Sequence, residues 1–389
     1  ALFTRAYNHI YNEWYRDQNL IDSATVDTGD GPDSPTNYTL RKRGKRHDYF
    51  TSALPWLQKG DSVEMPLGST APVDPTGVFE FAENLAGTTN PTEIARGNSG
   101  AFTSLDAKST GVYHADLYYK SGLEADLSTA VGATINQLRQ SFQIQKLLER
   151  DARSGTRYSE IVKSHFGVDF LDVTYRPEFL GGSSTPIQVN SVPQTSSTDT
   201  TSPQGNLSAY ATATMKNGGF TKSFTEHCII LGIASVRADL TYQQGLERKF
   251  TRSTRYDFYW PALANIGEQS ILTKELYCQD PTTDTGSTGT PDNERVFGYQ
   301  ERWSEYRYKN SLITGKLRSN DAQSLDAWHL SQEFGSTPEL NQTFIEETPP
   351  IDRVVAVTDE PDLIMDCYFN LQCARPMPLY SVPGLIDHF

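Results

Sequence analysis

The chain has 389 residues, with 34 Lys and Arg against 48 Asp and Glu, giving a formal net charge of −14. That length suits two to three average domains, or one large β domain with long insertions. The acidic balance excludes a protein that simply coats nucleic acid, which needs clustered Lys and Arg, but it leaves room for a local basic patch.

Apolar residues make up 37%, and Gly (28) and Pro (21) are frequent beside 20 Tyr and 18 Phe. This mix predicts a loop-rich β protein with aromatic contact surfaces. No run of about 18 apolar residues exists, so no membrane insertion is expected. Cys228, Cys278, Cys367 and Cys373 form no C-x-x-C pair, which points to a reducing compartment and no metal site.

In chain order, Tyr7, Ile10, Tyr11, Trp14 and Tyr15 keep the i, i+3, i+4, i+7, i+8 spacing of an amphipathic helix with an aromatic stripe. Such stripes are usually core or interface. Residues 22–36 read as a loop. Residues 60–123, rich in Gly, Pro, Thr and Asn, read as an insertion that is a candidate for the exposed surface. Residues 134–151 predict a helix: Ile135, Leu138 and Phe142 share one face, and Ile144, Leu147 and Leu148 lie opposite. A helix with two apolar faces is expected between two surfaces. Residues 158–166 predict a second helix stopped by Gly167, and 129–167 together form a helical insertion.

Strand signals follow. Ile187 and Val189 alternate with polar residues, "SAYATATM" (208–215) alternates strictly, and "CIILGIASV" (228–236) reads as a buried strand. Residues 256–260 and 354–357 are further strand candidates. In residues 364–373, Met365, Cys367, Phe369, Leu371 and Cys373 point one way, which predicts one buried face and two buried, unpaired thiols. The loops at 194–205 and 280–293 read as solvent-facing tips. The order predicts a mainly β protein, a β-sandwich or jelly roll with long loop and helical insertions.

No catalytic pattern is present. The histidines show neither H-x-x-x-H nor H-E-x-x-H spacing, and His227 beside Cys228 would point to opposite strand faces. "GNSG" (97–100) is not a nucleophile elbow, and no G-K-[ST] follows "GGSS" (181–184).

Three segments mix aromatic and basic residues. The first holds Arg41, Lys42, Arg43, Lys45 and Arg46, then Tyr49 and Trp56. Such a cluster can neutralise phosphate, meet a neighbouring subunit, or form internal salt bridges. The second, "RKFTRSTRYDFYWP", holds Arg252, Arg255 and Trp260. The third, "FGYQERWSEYRYKN", holds Arg302, Trp303, Tyr306 and Arg307. These two, with Tyr7, Tyr11 and Trp14, are candidates for protein interfaces, because Asp257, Glu301 and Glu305 would repel phosphate.

Several long strings carry a resemblance: "RAYNHIYNEWYRDQNL", "KRHDYFTSALPW", "INQLRQSFQIQKLLERDARSGTRYSEIVKSHFGV", "SVRADLTYQQGLERKFTRSTRYDFYWPALANIGEQ", "FGYQERWSEYRYKNSLITGKLRS" and "PMPLYSVPGLIDHF". Together and in this order they resemble the major capsid protein of Microviridae, the gokushovirus-like single-stranded-DNA phages. The resemblance spans Arg5 to Phe389. It implies a viral jelly-roll subunit that self-assembles into a small T=1 icosahedral shell around circular ssDNA. It also implies no catalytic residues and no cofactor. Implied partners are copies of itself, the packaged ssDNA, a small basic DNA-packaging protein, a pilot protein and the host cell surface, where a glycan is one ligand. The implied location is the virion capsid, assembled in the bacterial host cytoplasm. Two departures stand out. The chain starts almost at the "RAYN" helix, whereas family members carry early barrel strands upstream of it. Leu57 follows "ALPW", where Pro is common. The alternative reading is a carbohydrate-binding or carbohydrate-active β-sandwich, suggested by the many Tyr, Trp and Asp residues.

Overall fold

A computed structural model describes residues 1–64, 134–170, 175–196, 200–201, 203–216, 218–282, 284, 286, 290–357 and 359–376, together with the backbone of short strands between 73 and 125. The elements run α1 (Leu2–Ile10), β1 (Val73–Asp74), β2 (Glu80–Ala82), β3 (Glu93–Arg96), β4 (Leu105–Ser109), β5 (Val112–His114), β6 (Tyr118–Ser121), β7 (Glu124–Ala125), α2 (Ile135–Ser154), α3 (Tyr158–Phe166), β8 (Gln188–Pro193), β9 (Leu207–Thr212), β10 (Thr241–Tyr242), β11 (Glu268–Leu272), β12 (Val296–Glu301), β13 (Ser311–Leu312) and α4 (Gln342–Ile345). Two compact units divide the chain, one of Ala1–Pro55 with Asp172–Phe389 and one of Trp56–Leu171.

In the second unit, β1 pairs with β7, β2 with β6, and β3–β4–β5 form an antiparallel sheet. Most of residues 60–123, the expected surface insertion, lie outside the described residues. Helix α2 starts at Thr134, whose hydroxyl accepts from the Gln137 amide while the Gln137 side chain accepts from the Thr134 amide. This reciprocal cap satisfies two otherwise orphaned donors. Helix α3 ends at Gly167 with φ 70°, as predicted. His165 and Asp151 join the two helices at 2.6 Å. The expectation that α2 lies between two apolar surfaces is corrected: Ile135, Phe142, Ile144 and Leu147 are exposed.

The first unit has an aromatic core. Tyr49, Phe50, Ala53, Tyr242, Ile271, Leu276, Phe297 and Phe344 are buried together. Phe50 meets Tyr242 edge-on at 4.9 Å, and Phe297 meets Phe344 at 5.0 Å, the geometry ring quadrupoles favour. Antiparallel β11 and β12 line this core, with Gln269 and Ile271 turned inward. Gly298 on β12 is required by close approach. A Cβ there would stand 2.9 Å from Leu340 Cδ2 and 3.0 Å from Ala53 Cβ.

Several strand predictions are corrected. The alternating segments at 187–193 and 207–212 do pair as the β8–β9 hairpin, but every residue of both strands is exposed. Residues 228–236 and 361–376 carry no ladder, and Ile229, Ile230, Ile364, Tyr368 and Phe369 stand in solvent. All four cysteines are free and exposed, not buried. Alternation identifies an apolar face; it does not supply the strand or surface that covers it. Residues 255–257 form a 3-10 turn instead of a strand, because Asp257 caps it by accepting from the Ser253 and Thr254 amides. Residues 354–357 follow another such turn without pairing. The 280–293 loop is partly tied down: buried Asp284 accepts from the amides of Asp292 and Asn293.

Candidate functional site

The basic segment 41–46 lies in the first unit beside α1 and the chain around α4. Residues 43–45 run along 345–347: Lys45 N–H donates to Ile345 O and Glu347 N–H to Arg43 O, both at 2.8 Å. Helix α1 continues as a π turn, Tyr11–Tyr15, whose rings receive the cations. The Arg41 guanidinium lies 5.7 Å from the Tyr11 ring and that of Arg43 5.3 Å from the Tyr15 ring. The aromatic stripe therefore has a definite task. Tyr7 OH accepts from the Arg41 amide and Tyr11 OH donates to Lys42 O.

The five cations have different surroundings. Lys45 is 8% exposed. Its ammonium donates to Phe344 O and Gln332 Oε1 and lies 4.7 Å from the Phe344 ring. Burial lowers its pKa to about 8, with Glu347 and Asp48 opposing that shift. Tyr49 belongs to the core and donates to Glu275 Oε2. Lys45 and Tyr49 are thus corrected from contact candidates to parts of the fold, because a buried side chain cannot meet a partner.

Outward, Lys42 donates to Thr348, Arg43 to Ser235 Oγ, and Arg46 to Asp239. Among the described residues only Arg46 of the five has a carboxylate within ion-pair distance, so dense internal salt bridging does not account for the cluster. Trp56 lies in the other unit, where Lys59 covers its ring at 3.9 Å and its indole N–H has no hydrogen bond among the described residues.

The second and third aromatic–basic segments come together. Arg252 lies over Tyr306 at 4.4 Å and Phe258 at 5.4 Å and pairs with Glu305 at 3.5 Å. Arg302 covers Trp303 and donates to Tyr256 O. Trp303 is buried and left-handed at φ 70°, its indole N–H held by Leu263 O. Trp303 is therefore corrected from an interface residue to an internal anchor, as is Tyr11. Glu301 is taken up by Arg307. What faces solvent is Arg255, Tyr256, Phe258, Tyr259, Trp260, Tyr306 and Arg307. Arg255 has Tyr256 and Trp260 around it at 5.3 and 5.8 Å, and among the described residues it has no ion pair. Trp14 is exposed at its edge, where Arg176 stacks on its ring and its N–H donates to Pro177 O.

Sequence reasoning missed Arg237, Ser235, Asp239 and Glu347, which surround the basic segment. Burial, then Arg46 and Arg43, lower the Arg237 pKa, so the guanidiniums share one neighbourhood. Glu347 is 7% exposed and burial raises its pKa, with Lys45, Arg43 and Arg237 opposing. Among the described residues its carboxylate oxygens make no regular hydrogen bond, and the Ala238 amide opposes the upward shift. These residues lie roughly 190 to 300 positions from the segment, and no local pattern marks them.

Among the described residues there is no cluster of three or more His, Cys, Asp or Glu able to hold a metal, and no helix is long and apolar enough to cross a membrane. The surfaces offer contacts, not chemistry. The family model described as "Capsid protein (F protein)" matches residues 1–385. The chain belongs to this capsid protein family. Capsid protein VP1 of Bdellovibrio phage phiMH2K is 48% identical, covering 100% of this chain and 73% of that one. Capsid protein VP1 of Chlamydia phage 1 is 44% identical (98% and 74%), and that of Spiroplasma virus 4 is 38% identical (99% and 73%). The resemblance to the major capsid protein of Microviridae therefore holds. This is a major capsid protein, a structural and non-enzymatic component of a phage virion that self-assembles into the capsid. The carbohydrate reading is not supported.

Proposed function

We propose that copies of this capsid protein form a small T=1 icosahedral shell enclosing circular single-stranded DNA, as in gokushovirus-like phages. The observation that carries the reading is the apolar run from Leu363 to Leu371, which a single copy leaves in water: Ile364 is 99% and Tyr368 91% exposed. An apolar surface of that extent marks a place where another surface docks, which in a closed shell comes from the completed sandwich and the subunits packed on it. The jelly-roll sandwich is part of the same proposal. Residues 228–236 and 361–376 would enter its sheets once further strands lie beside them.

Residues 60–123 serve as the surface insertion and 129–167 as the helical one. The exposed ring surface of Tyr256, Trp260 and Tyr306 serves as a subunit contact, since Tyr, Trp and Arg dominate such contacts. The small basic packaging protein, the pilot protein and a host-surface glycan complete the partners, with assembly in the bacterial cytoplasm. Expression of the full chain in bacteria, with imaging of purified particles and measurement of nuclease-protected DNA, tests the reading. T=1 particles with protected single-stranded DNA are expected. A protein that stays monomeric, or particles of a larger lattice, would overturn it.

A further inference from the structure

Arg43 donates to Ser235 Oγ at 2.8 Å and Arg46 to Asp239 Oδ1 at 3.0 Å. Arg237 lies midway between those two anchors in the chain, so both guanidiniums are brought to its flanks. Burial, and then the charges of Arg46 and Arg43, disfavour its protonated form. Arg237 is half-buried and, among the described residues, donates no hydrogen bond and joins no ion pair.

Like charges held this close repel, and burial adds to the cost. The fold nevertheless fixes them. Arg43 O accepts from the Glu347 amide and the Lys45 amide donates to Ile345 O, both at 2.8 Å. The Arg43 side chain rests on the Tyr15 ring at 5.3 Å and uses one nitrogen on Ser235, which leaves its other donors uncommitted. The nearby carboxylates are Glu347, which is buried, and Asp239, whose side chain is 88% exposed beside Arg46. When both are ionised they balance two of the three arginines and leave one positive charge.

We propose that Arg43, Arg46 and Arg237 form a binding site for one phosphodiester of the packaged strand, an assignment that rests on the reading of the chain as a capsid subunit enclosing single-stranded DNA. A phosphate group has oxygens pointing in several directions, so guanidiniums approaching from different sides can each donate to it. A carboxylate offers two oxygens in one plane, which a single guanidinium fork fills. The one residual positive charge matches the single negative charge of a phosphodiester. A phosphate monoester, at about −1.5 to −2 near neutral pH, is matched less well beside Asp239. Contacts to phosphate fix the position of a strand and carry no sequence preference.

The experiment measures binding of a fluorescein-labelled oligothymidylate to the full, unassembled chain by anisotropy across a salt series. Arg237→Gln is the main variant, because that guanidinium holds nothing else among the described residues. Arg46→Gln is the second; it changes a side chain that is half in solvent, so its unfolding midpoint stays at the wild-type value. Each is expected to weaken binding about tenfold and to reduce the slope of log affinity against log salt by about one. The same loss is expected with oligocytidylate. Lys316→Gln, which removes an exposed cation of the same unit, is expected to bind as the wild type does. Wild-type affinity and salt slope in both arginine variants would overturn the assignment. An equal loss from Lys316→Gln would also overturn it, since diffuse charge and not a site would then account for binding. Equal competition by phosphatidylglycerol vesicles, phosphate for phosphate, would move the site to a lipid surface. In assembled material the arginine variants are expected to give wild-type shell yield with less nuclease-protected DNA. Shells lost in proportion to binding would assign the cluster to a subunit contact instead. Wild-type chain that binds the oligonucleotide through these arginines but never forms shells would count against the capsid reading and leave the phosphate site standing.

Discussion

The Lys45 ammonium lies 4.7 Å from the centre of the Phe344 ring and donates its hydrogen bond to the carbonyl of that same residue. A cation in the middle of a basic sequence run is thereby an internal strut between residues 43–45 and α4. Its burial costs solvation that the ring and two acceptors only partly return.

This strut makes stability depend on pH in a defined direction. The folded pKa of Lys45, about 8, lies below its ordinary value of 10.5. Between these pH values the unfolded chain holds the proton and the folded chain does not, so stability rises with pH, by about 3 kcal/mol across the window. Above pH 10 the trend reverses. Burial raises the pKa of Tyr49 and Tyr242 in the folded state, so the unfolded chain loses those protons first. Urea unfolding from pH 7 to 11 should show a maximum near pH 10, and Lys45→Met should remove the rising limb. A flat profile up to pH 10 in the wild type would refute the assignment.

Glu275 is the buried anion of the core. It accepts from Tyr49 OH at 2.9 Å and from Arg248 Nη2 at 2.8 Å. Glu275→Gln leaves the Arg248 guanidinium without its counter-charge. The expected loss is about 3 kcal/mol, since stranding one member of a buried pair is costly. Denaturant unfolding of the unassembled chain measures it. A loss below about 1 kcal/mol would mean that water solvates Arg248 in place of the carboxylate.

Gly245 packs directly on the backbone of Glu275. A Cβ at 245 would stand 2.0 Å from the Glu275 carbonyl oxygen, and backbone cannot swing aside as a side chain can. Gly245→Ala should cost about 3 kcal/mol or more and lower the melting temperature by several degrees. By contrast, Gly335→Ala meets nothing within 4 Å and is expected to change stability by less than about 1 kcal/mol.

Tyr368 and Leu371 point into solvent in a single copy. Replacing both with Ser should leave unfolding of the unassembled chain within about 0.5 kcal/mol of wild type. Particle yield should nonetheless fall sharply, because the lost area belongs to the assembled state. Paired calorimetry and sedimentation separate the two readouts. Loss of folding stability would place these side chains in the core of the free subunit.

Much of the local structure was legible from the sequence. The stripe of Tyr7, Tyr11 and Trp14 marked the first helix, the periodicity of 134–151 marked α2, and Gly167 marked the end of α3. Each signal is local, since a helix repeats every 3.6 residues and its stop needs one left-handed residue. The long strings that resemble a capsid protein were equally a property of the sequence, because family membership is written in residue order. The candidate contact surface was legible only by composition: Arg41–Arg46 stood out by charge, and charge does not say which cations are buried.

Tertiary structure decided the rest. It placed Lys45 and Tyr49 inside, turned Arg43 toward Ser235, and brought Arg237 and Glu347 to the cluster from far along the chain. It also left residues 228–236 and 361–376 uncovered, although the apolar run of the first and the alternation within the second match buried strands. A strand's pattern fixes which side chains share a face, whereas burial depends on what lies against that face. In a capsid protein that surface includes other copies, which no property of one chain's sequence periodicity contains.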